Sequence, residues 1–212
     1  VDLVLERVRG MALDDSPARL SDKVYAAVRE VTGVCDPFAA AKRETNRRAL
    51  NLVPDLRRKI AVARDPLHTA IKVALIGNVI DLGIGHRYDL ERDLASILER
   101  DVAIDDYASF KELLQSCRKM LYICDNSGEI AFDALLIERL KERCEVVASV
   151  KSGPIINDAT HEDADEVGLT GLVRVVGTGT NHIGVDLENA SREFMEEFES
   201  ADVVLAKGQG NF

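Results

Sequence analysis

Up to about residue 110, apolar positions recur three and four residues apart, the spacing of helices with one buried face. Ser21 to Glu30 reads as one such helix, capped by Ser21 and stopped by Gly33. Asp36-Pro37 opens a longer helix to about Asn51, because proline is tolerated in a first turn. Pro54 is expected to interrupt it, with a separate helical piece over 56–63. Asp65-Pro66 opens the next, which carries Thr69 to Ile76, and Gly83-Ile-Gly85-His86 breaks the chain. Two further amphipathic helices are expected over 91–100 and 108–116, joined by the acidic loop Asp101 to Asp106.

From Lys119 the pattern changes. Short apolar, β-rich runs at 120–124, 145–150, 172–176 and 202–206 alternate with helical stretches at 129–142, 160–166 and 187–199. Such alternation predicts βαβ units: an α/β fold with a mostly parallel sheet flanked by helices. Right-handed crossovers place the carboxyl ends of parallel strands on one edge, where ligands of open α/β sheets bind.

Polar residues and glycines gather at those strand ends. The first run is followed by Asp125, Asn126, Ser127, Gly128 and Glu129. The second leads to Lys151, Gly153, Pro154, Asn157 and Asp158, the third to Gly177-Thr-Gly-Thr-Asn-His-Ile-Gly184, and the fourth to Lys207-Gly-Gln-Gly-Asn211. Asp125, Asn126 and Asp158 offer the oxygens preferred by hard divalent cations. Lys151 and Lys207 offer cationic donors for phosphate. Gly177, Gly179 and Gly184 allow backbone amides close to an anion. In the helical half, Asn78 and Asp81 lie three apart after an apolar run, so they share a helical face. A cation, lysines and backbone amides are the equipment of phosphoryl transfer. Each residue also has a plainer use: Asp125 or Asn157-Asp158 as helix caps, the glycines as turns, the lysines as surface charges. His161 and His182 lack a second histidine at zinc-helix spacing and read as bystanders.

Composition narrows the classes. The 212 residues carry a net charge of −10, with 37 acids and 27 bases, which disfavours nucleic acid and anionic membranes as partners. No apolar run reaches the roughly 20 residues that span a bilayer. Cys35, Cys117, Cys124 and Cys144 form no C-x-x-C pair and read as reduced thiols, in keeping with a cytoplasmic protein. The chain opens without Met and stops just after a glycine-rich loop, so further residues are expected beyond both ends. There is no P-loop, no dinucleotide fingerprint and no nucleophile elbow. Two rival readings remain: an S-adenosylmethionine-dependent methyltransferase on a similar sheet, and a non-catalytic metabolite-binding module.

Asp125-Asn126-Ser-Gly-Glu129, Lys151-Ser-Gly-Pro-Ile-Ile-Asn157-Asp158, Gly77-Asn78-x-x-Asp81 and Lys207-Gly-Gln-Gly-Asn211 occur together, and the resemblance they carry covers nearly the whole chain. The set resembles the damage-control phosphatases, in particular their small archaeal and bacterial branch. The resemblance implies a helical subdomain over 1–110 and a Rossmann-like core over 111–212. It implies hydrolysis of small phosphorylated metabolites with Mn²⁺, Co²⁺, Ni²⁺ or Mg²⁺. Asp125, Asn126 and Asp158 would hold the metal, and Asp125, Asp158 and Lys207 would carry the catalysis. Glu129 would support the metal shell, while Lys207, Asn211 and the loop with Gly177 and Gly179 would meet the substrate, beside Lys151. Asn78 and Asp81 would close the pocket. Microbial relatives commonly have a C-x-x-C near the N-terminus, which this sequence lacks.

Overall fold

The computed structural model describes residues 17–81 and 102–211, with Leu5, Glu6, Arg9 and Arg100. Apart from Arg100, the helix expected over 91–100 lies outside these residues, as does the break at Gly83 to His86.

Three helices come first: α1 (Pro17–Thr32), α2 (Ala39–Val62) and α3 (Pro66–Asp81). Gly33 ends α1 with φ +68°, a left-handed conformation in which a side chain would be strained. α2 corrects the sequence reading, since it runs unbroken through Pro54. Pro54 is exposed, while Val53, Leu56 and Ile60 are buried along one stripe. Packing of that stripe outweighs the backbone bond that proline cannot donate. Asp65 caps α3: its Oδ1 accepts the His68 N–H at 3.1 Å.

After α4 (Tyr107–Ser116) the chain enters its sheet, built of β1 (Lys119–Ile123), β2 (Glu145–Val150), β3 (Arg174–Gly177) and β4 (Val203–Ala206). The four strands are all parallel, in the order β3-β2-β1-β4. Between them lie α5 (Glu129–Leu140), α6 (His161–Glu166) and α7 (Arg192–Ser200). α7 begins later than the expected 187, because Ser191 is its cap: Ser191 Oγ accepts the Phe194 N–H at 3.1 Å. β3 begins two residues later than expected, after a short 3₁₀ turn over Leu169–Gly171.

Alternation along β1 divides the core. Leu121 and Ile123 pack with Val147, Val176 and Phe194 on the α7 side. Met120, Tyr122 and Cys124 pack on the other side, in a cluster that includes Leu56 of α2, Val73 of α3 and Leu135 of α5. One apolar core therefore runs from the helical half into the sheet, across residue 110. Cys117, Cys124 and Cys144 are buried, Cys35 is exposed, and all four thiols are free. No described helix is long and apolar enough to cross a membrane.

The strand order fixes where a site can form. From β1 the chain moves outward through β2 to β3, then returns to the opposite side of β1 as β4. The connections part company between β1 and β4, the kind of switch point at which ligands of open α/β sheets bind. Asp125 follows β1 and Lys207 follows β4.

Candidate active site at the carboxyl edge of the sheet

The backbone ties the first two strand-end loops together. Asn126 and Asp158 form an antiparallel bridge. Ser127 N donates to Asn157 O at 2.8 Å, and Ala159 N donates to Asp125 O at 2.8 Å. Residues 30 to 34 positions apart in sequence thus meet through main-chain bonds. Asn126 Nδ2 donates to Asp125 Oδ2 at 2.9 Å and to Glu129 Oε1 at 2.8 Å. This turns its Oδ1 away from those two carboxylates. Gly208, at φ +80°, lies against Asp125: a Cβ there would fall 2.1 Å from Asp125 Oδ2. Glycine is required at that position both by the backbone and by the carboxylate beside it.

Charge in this corner is only partly offset. Burial pushes the Asp125 carboxyl up to about 7, helped by the Glu129 and Asp158 carboxylates and opposed by Lys207 and Lys151. Burial also pushes Asp158 up to about 6, against the pull of Lys151 and Lys42.

The two expected phosphate lysines differ in their partners. Lys151 is buried, and its Nζ donates to Gly184 O and, at 3.4 Å, to Asn211 Oδ1. It stands 3.6 Å from Asp158 Oδ2. Burial lowers its pKa, with Asp158 and Asp125 resisting. Lys207 Nζ is enclosed by Ala74 O at 2.9 Å, Glu129 Oε2 at 3.1 Å and Asp133 Oδ1 at 3.1 Å. Burial disfavours its charge, but Asp133 and Glu129 outweigh this and raise its pKa. Asn211 closes the loop on itself through Nδ2, which donates to Lys207 O at 2.7 Å and Cys124 O at 3.2 Å.

The glycine loop after β3 is engaged by the protein itself. Gly179 N donates to Ser152 Oγ at 2.7 Å, and a Cβ at Gly177 would fall 2.4 Å from the same oxygen. Ile183 N donates to Asp22 Oδ1 of α1 at 3.1 Å. From the helical side, Gly77 of α3 packs on Glu129, where a Cβ would come within 3.0 Å of Glu129 Cγ. Asn78 and Asp81 follow on the last turn of α3, and their side chains lie outside the described residues.

Several further polar residues at this edge carry only weak signals in the sequence. Asp133 is one turn beyond Glu129 on α5 and binds Lys207, a relation its i, i+4 spacing signals. Lys42 and Asn46 on α2 are buried; Lys42 Nζ lies 2.6 Å from Asp163 Oδ2. They continue the buried stripe of Ala49, Val53, Leu56 and Ile60, the signal that separates them from the exposed charges around them. Asp22 is the fourth. No group of three or more His, Cys, Asp or Glu residues converges as a metal cluster among the described residues.

Taken together, the fold and this edge define a parallel α/β protein with carboxylates and lysines at the switch point of its sheet. The family model of the ARMT1-like damage-control phosphatase domain matches residues 3–212, and the chain belongs to that family. Damage-control phosphatase PH1575 of Pyrococcus horikoshii is 41% identical over 199 residues, covering 92% of this chain and 68% of that protein. A damage-control phosphatase of Archaeoglobus fulgidus is 35% identical over 202 residues, covering 92% of this chain and 69% of that one. The crystal structure of a DUF89 family protein from Pyrococcus horikoshii superposes with a TM-score of 0.91 at 39% identity, covering 100% of this chain and 74% of that one. Membership supports a phosphatase function.

Proposed function

We propose that the chain is a divalent-metal-dependent phosphatase acting on small phosphomonoesters, such as sugar phosphates or damaged phosphometabolites, in the cytoplasm. The observation that carries this reading is the meeting of Asp125, Asn126 and Asp158 at one end of the sheet, with Lys151 beside Asp158. These residues fit a hard cation. Two carboxylates and an amide oxygen are the donors such ions take, and partly uncompensated negative charge surrounds them. The close seat of Gly208 on Asp125 leaves no side chain over the carboxylate.

Asp125, Asn126 Oδ1 and Asp158 would hold Mn²⁺, Co²⁺, Ni²⁺ or Mg²⁺. When bound, the ion supplies a Lewis acid for a phosphoryl oxygen. Lys151 orients Asp158 and contributes positive charge toward the equatorial oxygens. Lys207, held by Glu129 and Asp133, acts on Asp125 through space, and Asn211 keeps its loop in place. Two roles are open to the Asp125 carboxylate: attack on phosphorus, or removal of a proton from the attacking water.

Turnover of p-nitrophenyl phosphate is expected to vanish with a chelator and return with added Mn²⁺, Co²⁺, Ni²⁺ or Mg²⁺. Asp125→Ala is expected to lower that turnover about 10²–10⁴-fold, the range for loss of an acid–base group. Near-normal turnover of the variant removes Asp125 from the mechanism. Turnover indifferent to chelation removes the metal.

A further inference from the structure

α2 sends one side chain between the two loops that carry Asp125 and Asp158. Asn46 is fully buried, at 0% exposure. Its Oδ1 accepts the Gly128 N–H at 2.6 Å, in the turn that runs from Asp125 to Glu129. Its Nδ2 donates to Asp163 Oδ1 at 2.9 Å and to Glu166 Oε2 at 2.7 Å, both in the helix that follows Asp158. Asp163 is itself bound to the start of that helix, accepting from Thr160 N at 2.8 Å and Thr160 Oγ1 at 2.7 Å. Lys42, one turn earlier on α2, lies 2.6 Å from Asp163 Oδ2. A single amide therefore links Gly128, three residues after Asp125, to Asp163, five residues after Asp158.

There is no slack in the join. Gly128 has φ +80°, and a Cβ there would fall 2.4 Å from Thr45 Cγ2, so α2 lies flush on the turn. Buried hydrogen bonds cost free energy when either partner is removed, so the loops are held at a set spacing. Only an amide serves here, since Gly128 requires an acceptor while Asp163 and Glu166 require donors.

We infer that Asn46 is a positioning residue that sets the separation of the Asp125 and Asp158 loops and so the divalent-ion affinity of the site. The inference rests on the metal reading above; Asn46 itself touches neither carboxylate. A residue that only stabilised the fold would leave the affinity of folded protein unchanged.

The test uses the full chain and Mn²⁺ alone, titrated by electron paramagnetic resonance at a temperature where circular dichroism shows each variant folded. Asn46→Ala is expected to weaken Mn²⁺ binding up to about 10-fold, below the roughly 10–100-fold of a partner bonded directly to a ligand, because Asn46 acts through the two loops. Asn46→Asp keeps the acceptor for Gly128 but opposes Asp163 and Glu166, and should bind weakly too. Combining Asn46→Asp with Glu166→Gln restores a donor–acceptor pair with the polarity exchanged, and should recover part of the affinity. Should Asn46→Ala fail to fold, Glu166→Gln alone, at an exposed residue, is expected to weaken binding in the same direction by less. A second arm needs no metal. Hydrogen exchange at the Ser127 and Ala159 amides should accelerate at least about 10-fold in the Asn46 variants, while β1 and β2 amides hold their protection. Wild-type affinity and wild-type exchange in folded Asn46 variants overturn the inference. Absence of Mn²⁺ binding by the wild type overturns the metal reading, and the exchange arm then decides the loop coupling by itself.

Discussion

Asp133, Tyr122 and Lys207 at the sheet edge repeat, residue type for residue type, the trio that Asp65, Tyr107 and Lys111 form on the helical side. In the first, Asp133 Oδ1 accepts from Tyr122 Oη at 2.7 Å and from Lys207 Nζ at 3.1 Å. In the second, Asp65 Oδ1 accepts from Tyr107 Oη at 2.8 Å, and Asp65 Oδ2 from Lys111 Nζ at 3.5 Å. The carboxyls nevertheless shift in opposite directions. Burial dominates at Asp133 and raises its pKa despite Lys207 and Tyr122. At Asp65 burial also works upward, but the His68 amide, Tyr107 and Lys111 outweigh it and hold the pKa below the ordinary value. The same partners thus stabilise a charge at the surface and only partly compensate one in the interior. The difference defines what Lys207 does: its ammonium is the counter-ion of two buried carboxylates, Glu129 and Asp133.

Removing that counter-ion is the strongest way to separate the trios. Lys207→Met keeps most of the unbranched side chain but removes its ammonium, leaving Glu129 and Asp133 buried without their cation. A loss of about 3–5 kcal/mol in denaturant unfolding is expected, as for other broken buried pairs. Lys111→Met, at a side chain 52% exposed, should cost about 0–1 kcal/mol. Equal losses at the two lysines would sink the contrast.

Asp133→Asn tests the next largest effect. The variant keeps an acceptor for Tyr122 but takes one of two carboxylates from Lys207, and Asp133 Oδ2 already lacks a hydrogen-bond partner among the described residues. An amide nitrogen placed there gains a donor with nothing to receive it. A loss of about 1–3 kcal/mol is expected by chemical denaturation, the cost of a buried unsatisfied group. A neutral or stabilising result would mean that Glu129 alone suffices for Lys207.

The two trios also differ in how far the sequence reveals them. Parallel strands, their order of appearance and the polar residues at their ends were legible, because a run such as Met120 to Cys124 ending in Asp-Asn-Ser-Gly has few other uses. The meeting of Asn126 with Asp158 follows from topology once β1 and β2 are neighbours. The i, i+4 spacing puts Asp133 on one face with Glu129, but α5 is buried on nearly every side, so no amphipathic pattern shows that this face meets Lys207. Lys42 and Asn46 were lost in a stretch rich in Arg, Lys and Glu, where only the phase of the buried stripe tells them apart. At Pro54 the local rule about proline yields to packing along the rest of α2. Lys207 stands out in the sequence as a lysine at a strand end, but its partners lie on α3 and α5, and no spacing within its own loop points there.

The smallest expected effect lies at Asp65 and sharpens the comparison through pH. Asp65→Ala removes the cap on His68 N together with the acceptor for Tyr107, and should cost about 1 kcal/mol at pH 7. Asp65→Asn keeps the capping oxygen and should cost less. Because the folded carboxyl titrates below its ordinary 3.8, the unfolded chain takes up the proton first as pH falls. The stabilisation from the charge is therefore complete above that value and disappears as pH drops through the folded pKa. Wild type and Asp65→Ala should draw together in thermal unfolding between about pH 5 and pH 2, leaving only the part of the cap that does not depend on charge. Asp133 has the opposite slope: its folded carboxyl keeps its proton above 3.8, so its contribution falls as pH rises out of that range. A gap at Asp65 that stayed constant from neutral to acid pH would locate its whole value in the capping bond, and the Tyr107 and Lys111 contacts would then carry none of the charge stabilisation assigned to them.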